Sequence, residues 1–323
     1  MESSKVSETE WEEIVLKSDN AGFCCSPAWA KIIEKSFDDY HTATRLYYIN
    51  DKTILVPMME KNPHGFKYFE SMPQNYGGFF SESDITTDDF NSIVNDIVGG
   101  RNLSFSLSLP PFEYIKPGKS VIKGIWRVND EENYTHLLRL GGKDFEQIWK
   151  NYKQRTRRAI RKSIKSGVEI KEDTSLDDYR AFYQIWTKAS KKWGYESVPL
   201  PFSFFRNLYK YGSPHVKLSL AFKEKQIIAG NLSLHYNKTI FYYFSAFLPE
   251  YGTFNPTSLL LNNLIERSCR EDYKYINLGH SFDNEGLIKF KEGFGSGVVE
   301  IERYLAWSTV AKAFRTITNV GKI

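Results

Sequence analysis

Residues Leu287–Gly297 read LIKFKEGFGSG. Phe290 and Phe294 alternate with Lys289, Lys291 and three glycines, close to the end of a 323-residue chain. Taken alone, the stretch is a bulge or turn whose phenylalanines seal a core and whose lysines face water. The segments around it decide whether it is more.

Immediately upstream, YKYINLG reads as a strand ending at Leu278–Gly279, followed by the polar run Gly279–Glu285, GHSFDNE. Before it, PTSLLLNNLIERSCRE is a helix with Pro256 at its start, where a missing N–H costs nothing. VKLSLAF, IIAGNLSLHY and TIFYYFSAF form an antiparallel meander with short polar turns, one at Asn237–Lys238, and LPEYGTFNP is a loop. GVEIK is a strand, SLDDYRAFYQIWTKASKK and PFSFFRNLYKY are helices, and VVEIERYLAW is the last strand. Tyr179, Phe182, Tyr183 and Trp186 mark one face of the first of those helices.

The first half repeats the theme. Ser26 caps a helix with Pro27 at its first position and Trp29, Ile32, Ile33 and Phe37 on one face. TRLYYIN, TILVPMM and FKYFES form a meander, MPQNYGGFF is turn-rich, and a helix around TTDDFNSIVNDIV precedes the strands NLSFSLSL and YTHLLRL. Each half is thus helix, three-strand meander, turn-rich loop, helix, strand. The order predicts two similar α+β units in tandem, 1–143 and 144–323.

The second unit opens with a basic helix over 144–166, KDFEQIWKNYKQRTRRAIRKSIKSGVEI. Asp144 with Gln147 fits a capping box, and Gly167 fits the stop after the last turn. Phe145, Ile148, Trp149, Tyr152, Ala159, Ile160 and Ile164 make an apolar stripe. Lys153, Arg155, Arg157, Arg158, Arg161, Lys162 and Lys165 lie off it. Arg157, Arg161 and Lys165 recur one turn apart and repel by a few tenths of a kcal/mol per pair. Such a face either meets an anion, a phosphate or a nucleic-acid backbone, or is a solvated face whose stems cover the core.

Composition narrows the classes. A hydrophobic share of 41% with 15% aromatics gives ample core and argues against disorder. Forty-three basic against 39 acidic residues leave +4, too little to make a nucleic-acid protein from the total alone. Cys24, Cys25 and Cys269 form no metal-ligand spacing, so no metal is expected, and three thiols suit a reducing cytoplasm. The polar, acidic start MESSKVSETEWEEIV is no signal peptide, and no apolar run reaches the length of a membrane span. The expectation is a cytoplasmic protein.

In sum, RxxRRAIRKSIKSGVEI, the meander, NPTSLLLNNLIERSCREDYKYINLGHS and GLIKFKEGFG occur in that order. This arrangement resembles the FemABX-like branch of the GNAT acyltransferases, and SPAWAKIIEKSF with MPQNYGGFF resembles the first unit of the same tandem. The resemblance implies two GNAT-like domains with a groove at their junction and transfer of an acyl or aminoacyl group to an amine. Phe290 and Lys291 match the family's FK pair, whose lysine steadies negative charge during transfer; a fixed donor at an oxyanion contributes several kcal/mol. His280 is the best general base, with Asp283 and Glu285 as alternatives. His235, within the meander, reads as structural.

For the donor, the GNAT likeness places the pyrophosphate of an acyl-CoA at the start of the helix after the meander. Here that implies Gly252, Asn255, Thr257 and Ser258, although the usual GNAT glycine signature is absent. Acceptor binding falls to Arg158 and Arg161, to Lys192 and Tyr195 of the loose match KKWGY, to Asp283, and to Tyr76 of the first unit. Acyl-CoA is the favoured donor and aminoacyl-tRNA the alternative, with a cell-envelope or sugar precursor amine as acceptor. A non-catalytic binding protein with a degenerate GNAT fold is the reading from another class.

Overall fold

The computed structural model describes residues 1–19, 21–73, 75–100, 102–112, 125–127, 133–172, 174–192, 200–282, 284–308 and 311. The chain divides into two compact units: unit 1 takes residues 1–133 and 301–323, and unit 2 takes 134–300. The single boundary expected at 143/144 thus becomes two crossings. Tyr134–Arg139 pairs with strands of the second unit, and the chain end returns to the first.

Unit 1 begins with β1 (Glu2–Lys5), α1 (Glu8–Leu16) and α2 (Pro27–Ser36), followed by β2 (His41–Thr42), β3 (Arg45–Ile49), β4 (Lys52–Val56), β5 (Met59–Lys61) and β6 (Lys67–Ser71). It continues through α3 (Thr87–Ile97), β7 (Asn102–Ser108) and β8 (Ile125–Arg127). Unit 2 runs β9 (Tyr134–Arg139), α4 (Phe145–Asn151), α5 (Gln154–Lys165), β10 (Glu169–Lys171), α6 (Leu176–Lys192), α7 (Phe202–Tyr211), β11 (Val216–Lys223), β12 (Gln226–Tyr236) and β13 (Thr239–Phe247). It ends with α8 (Pro256–Arg270), β14 (Tyr275–Asn277), α9 (Glu285–Gly293) and β15 (Gly297–Glu300), after which β16 (Arg303–Trp307) belongs to unit 1.

Unit 1 holds a three-stranded sheet, β1-β3-β4, and a six-stranded sheet, β2-β5-β6-β7-β16-β8. TILVPMM therefore splits between two sheets, breaking at Pro57 and Met58. VVEIERYLAW splits likewise: Gly297–Glu300 pairs with β9 in unit 2, and Arg303–Trp307 pairs with β7 and β8 in unit 1. The core of unit 1 joins Phe79, Phe90, Ile93 and Val94 to Phe69, Phe105, Leu107 and Tyr304.

Unit 2 is a seven-stranded mixed sheet, β10-β11-β12-β13-β14-β9-β15. One face carries Leu138, Ile228, Ala229, Ile240, Ile276 and Leu278, covered by Ile148 and Tyr152, by Ile160, by Leu260, Leu261, Leu264 and Ile265, and by Phe294. β13 and β14 run parallel, and their pairing covers only Thr239–Phe241 against Tyr275–Asn277. β14 ends at Asn277, so the ladder stops at Phe241, and the register with β12 slips between Leu232 and Ser233, leaving Tyr243 as the extra residue of a bulge.

The expected single helix over 144–166 is two helices. The capping box of Asp144 and Gln147 is present, but Tyr152 turns extended after α4. Arg157 explains the break. Its Nη1 donates to the carbonyls of Trp149, Lys150 and Tyr152 at 3.4, 3.1 and 2.7 Å, so carbonyls left over at the helix end are satisfied in place. The Lys153 N–H then donates to the Gly293 carbonyl at 2.8 Å. At the far end the Gly167 and Val168 amides donate back to Ile164 and Ser163, closing a Schellman stop at the expected glycine.

The expected apolar stripe is interrupted as well. Ile148, Tyr152 and Ile160 are buried, whereas Ile164 is 60% exposed. Thr156 and Ser163 are buried instead. Among the described residues no helix is long and apolar enough to cross a membrane.

Candidate active site

LIKFKEGFGSG opens as the body of α9, with its closing glycines running on into β15, and is neither a bulge nor a free turn. Asn284 caps the helix by accepting the Leu287 N–H at 3.0 Å, and Lys291 falls in the last turn, where a cation suits the helix dipole. Phe294 is buried between Tyr152 and Phe290, at ring distances of 5.0 and 5.3 Å. A Cβ on Gly293 would lie 2.4 Å from Thr156 Oγ1, so only glycine lets α9 approach α5 this closely. The aromatic and glycine positions therefore lock α9 against α5. The odd residue is Lys291.

Lys291 is 3% exposed. Its Nζ donates to the carbonyls of Gly279 at 2.8 Å and His280 at 2.6 Å. Burial lowers its pKa from 10.5 to about 7. Those carbonyls are aimed by a buried side chain: Asn277 Oδ1 accepts from Thr135 Oγ1 at 2.6 Å and from the Gly279 N–H at 2.9 Å. Gly279 holds a φ of +75°, a value that suits glycine, and its carbonyl also accepts the backbone N–H of His136 at 3.3 Å. Three elements thus converge: β9, the end of β14 and the last turn of α9.

His136 was not singled out by sequence. It is 0% exposed, and neither ring nitrogen has a hydrogen-bond partner among the described residues. Burial, then the charge of Lys291, pulls its pKa from 6.5 to about 4, with Glu292 acting in the opposite sense. Ser281 is also fully buried, and its Oγ lacks a partner among the described residues. Buried polar groups are normally bonded, so two unspent side chains in the cluster around Lys291 mark it as more than packing. The one sequence signal for His136 was a polar residue inside a strand of otherwise apolar alternation, YTHLLRL.

His280 is half-buried, with Nδ1 accepting the Phe282 N–H at 2.9 Å and its ring against Tyr134 and Phe282, 4.3 and 4.6 Å away. It is therefore in the same cluster as Lys291. Lys289 pairs with Glu285 at 2.5 Å and takes no part. His235 is buried, bonded through Nε2 to Ser233 Oγ at 2.8 Å and lowered by burial to about 2, in keeping with a structural role.

The donor candidates sit at the start of α8. Asn255 is left-handed, with φ 55° and ψ 44°, and its carbonyl accepts from Ser258 and Leu259. Thr257 is in the first turn, where amides lack intrahelical partners. Gly252 lies against the Phe247 ring. Arg158 and Arg161 are exposed on α5. Tyr76 is half-buried in unit 1, and its carbonyl accepts from Cys25 Sγ at 3.5 Å. Lys192 ends α6, its side chain lying outside the described part, and Tyr195 and Asp283 lie outside the described residues.

Residues 150–291 match the family described as Acetyltransferase (GNAT) domain. This segment is a GNAT acyltransferase domain. No curated protein matches the chain. Among solved structures, FemX is similar at 12% identity and a TM-score of 0.77, covering 98% of this chain and 100% of that one. A tandem GNAT protein from the clavulanic acid biosynthesis pathway is similar at 11% identity and 0.55, covering 95% and 98%. L-PGS from Bacillus licheniformis is similar at 12% and 0.53, covering 91% and 96%. At such identities the likeness speaks for the fold: a tandem GNAT arrangement, with the GNAT domain of unit 2 carrying the Lys291 cluster.

Proposed function

We propose that the chain is an N-acyltransferase that moves an acyl group from an acyl-CoA thioester to an amine, with Lys291 as the oxyanion donor. The observation that carries this reading is the buried Lys291 ammonium held on two backbone carbonyls. An ammonium has three N–H donors. Two are spent on Gly279 and His280, and the third serves the charge that develops on the substrate carbonyl.

The step balances simply. The amine nitrogen attacks the carbonyl carbon, the carbonyl electron pair moves onto oxygen, and Lys291 donates to that oxygen. His280 takes the proton lost by the amine on Nδ1, giving up the Phe282 N–H that this nitrogen accepts at rest. The C–S bond then breaks, the carbonyl re-forms, and the thiolate takes the proton. Phe290 closes the apolar side beside Phe294. Thr257 and Ser258, at a helix start behind left-handed Asn255 and Gly252, suit an anionic pyrophosphate. The part of β13 beyond Phe241, which β14 does not pair, is the edge along which an extended donor arm would run. On the acceptor side, Arg158, Arg161, Lys192, Tyr195, Tyr76 and Asp283 remain the candidates for a phosphate-bearing cell-envelope or sugar precursor.

The donor is tested by thermal-shift titration with CoA and acetyl-CoA. Free ligand at about a hundred times its dissociation constant adds roughly 2.7 kcal/mol to stability, a clear rise in midpoint. An unmoved midpoint removes acyl-CoA and turns the assignment to aminoacyl-tRNA, with a tRNA gel shift to follow. Silence in both assays leaves the non-catalytic binding protein.

A further inference from the structure

The basic run of α5 is not one population of charges. Arg157 is turned back onto the end of α4, Arg155 donates to the Lys289 carbonyl, and neighbouring Lys153 pairs with Glu292 at 3.0 Å. Arg158, Arg161, Lys162 and Lys165 remain exposed. α5 itself contains no acidic residue, and among the described residues none of these four has a carboxylate partner. Their spacing puts them on one side of the helix, along about 10 Å of its axis. One small phosphate would occupy only part of that face.

Two apolar groups border it. Ile164, between Lys162 and Lys165 in sequence, is 60% exposed. Trp149 of α4 is half-buried, with the Arg161 guanidinium 5.9 Å from its ring centre and the Phe145 ring 6.0 Å away. Cations, a tryptophan at the margin and an outward aliphatic side chain are the composition that settles at a headgroup boundary. A sugar–phosphate backbone would use the cations and leave Ile164 in water. The nearest acidic residues in sequence lie off the helix: Glu169 opens β10, where it pairs with Phe222, and Glu146 and Asp144 sit at the start of α4.

We propose that the exposed face of α5, with Ile164 and Trp149 at its edge, docks unit 2 on an anionic phospholipid bilayer. The attachment is peripheral: cations meet the headgroups and Ile164 enters the boundary layer. Arg158 and Arg161, candidates above for an acceptor phosphate, then meet the phosphates of a surface.

Sedimentation with vesicles tests this, using phosphatidylcholine alone and phosphatidylcholine mixed with phosphatidylglycerol, with neither donor nor acceptor present. The full chain should sediment with the anionic vesicles only and be released by salt. Each cation near an anionic surface is worth about fivefold in partitioning, so Arg158→Gln with Arg161→Gln should lower it roughly 25-fold. Ile164→Ser should weaken it at unchanged charge. Lys162→Gln with Lys165→Gln is the second pair, used if circular dichroism shows the first to be unfolded. Equal sedimentation on neutral vesicles, none on either, or folded variants that sediment like the parent would overturn the proposal. So would variants that lose binding to a homopolymeric RNA while keeping the vesicles. Because no substrate is present, such failure would leave the transfer reading standing.

Discussion

At the scale of one residue, Lys291 sets how the site answers to pH. Its charged form supplies the oxyanion donor, and with a pKa of about 7 that form is lost as pH rises through neutrality. The transfer rate kcat/KM should therefore fall above about pH 7, toward tenfold per unit. Lys291→Ala should cost on the order of a hundredfold to a thousandfold in kcat, as loss of one oxyanion donor does. His280→Ala should shift or flatten the same profile. Normal turnover in the Lys291 variant, or an unchanged profile in the His280 variant, removes the assigned role. The same burial has a sign in stability. Between about 7 and the ordinary 10.5, the unfolded chain holds a proton that the folded chain does not, so stability rises with pH across that window. Lys291→Met should abolish the rise. Sequence singled out Lys291 and His280 because each stands in a recognisable run. His136 escaped because a histidine within a strand shows nothing of its ring nitrogens, and only the folding of β9 against Gly279 brings it beside the ammonium.

At the scale of elements, local signals were legible and decisions made by distant partners were not. The capping box at Asp144, the stop at Gly167, Pro256 at the start of α8 and the meander strands of the second unit are written within a few residues, and all are present. The break between α4 and α5 is not local, since it rests on the Arg157 guanidinium and the Gly293 carbonyl. Sequence reading grouped Arg157 with the exposed cations because helical spacing cannot show a side chain folded back over the preceding turn. A direct consequence separates neighbours. Arg157→Ala leaves the carbonyls of Trp149, Lys150 and Tyr152 without their charged donor and should destabilise by about 2 kcal/mol. Arg158→Ala, one position on and exposed, should stay within about 0.5 kcal/mol. Denaturant melts of both variants decide the matter, and equal losses would show that Arg157 is not what holds the junction.

At the scale of the whole molecule, the order of elements foretold two α+β units, the family resemblance implied that both are GNAT-like, and strand pairing revealed how the chain is shared between them. VVEIERYLAW looks continuous because both pieces alternate well. What divides them is the partner each meets, β9 for Gly297–Glu300 and β7 with β8 for Arg303–Trp307. β16 is an interior strand of the six-stranded sheet, so the first unit is completed by residues that follow the second. Truncation after Glu300 would leave β7 and β8 without the strand that joins them, and would take Tyr304 and Ala306 out of the core around Phe90. Exposed edges of that kind are poorly tolerated. Hydrogen exchange on the truncated chain should show β6 and β7 losing protection while β11, β12 and β13 keep theirs, since every partner of those strands lies within unit 2. Persistent protection of β7 would mean that unit 1 closes without the chain end. Loss throughout would mean that the two units do not fold independently, and the Lys291 site would then depend on a strand that belongs to the first unit.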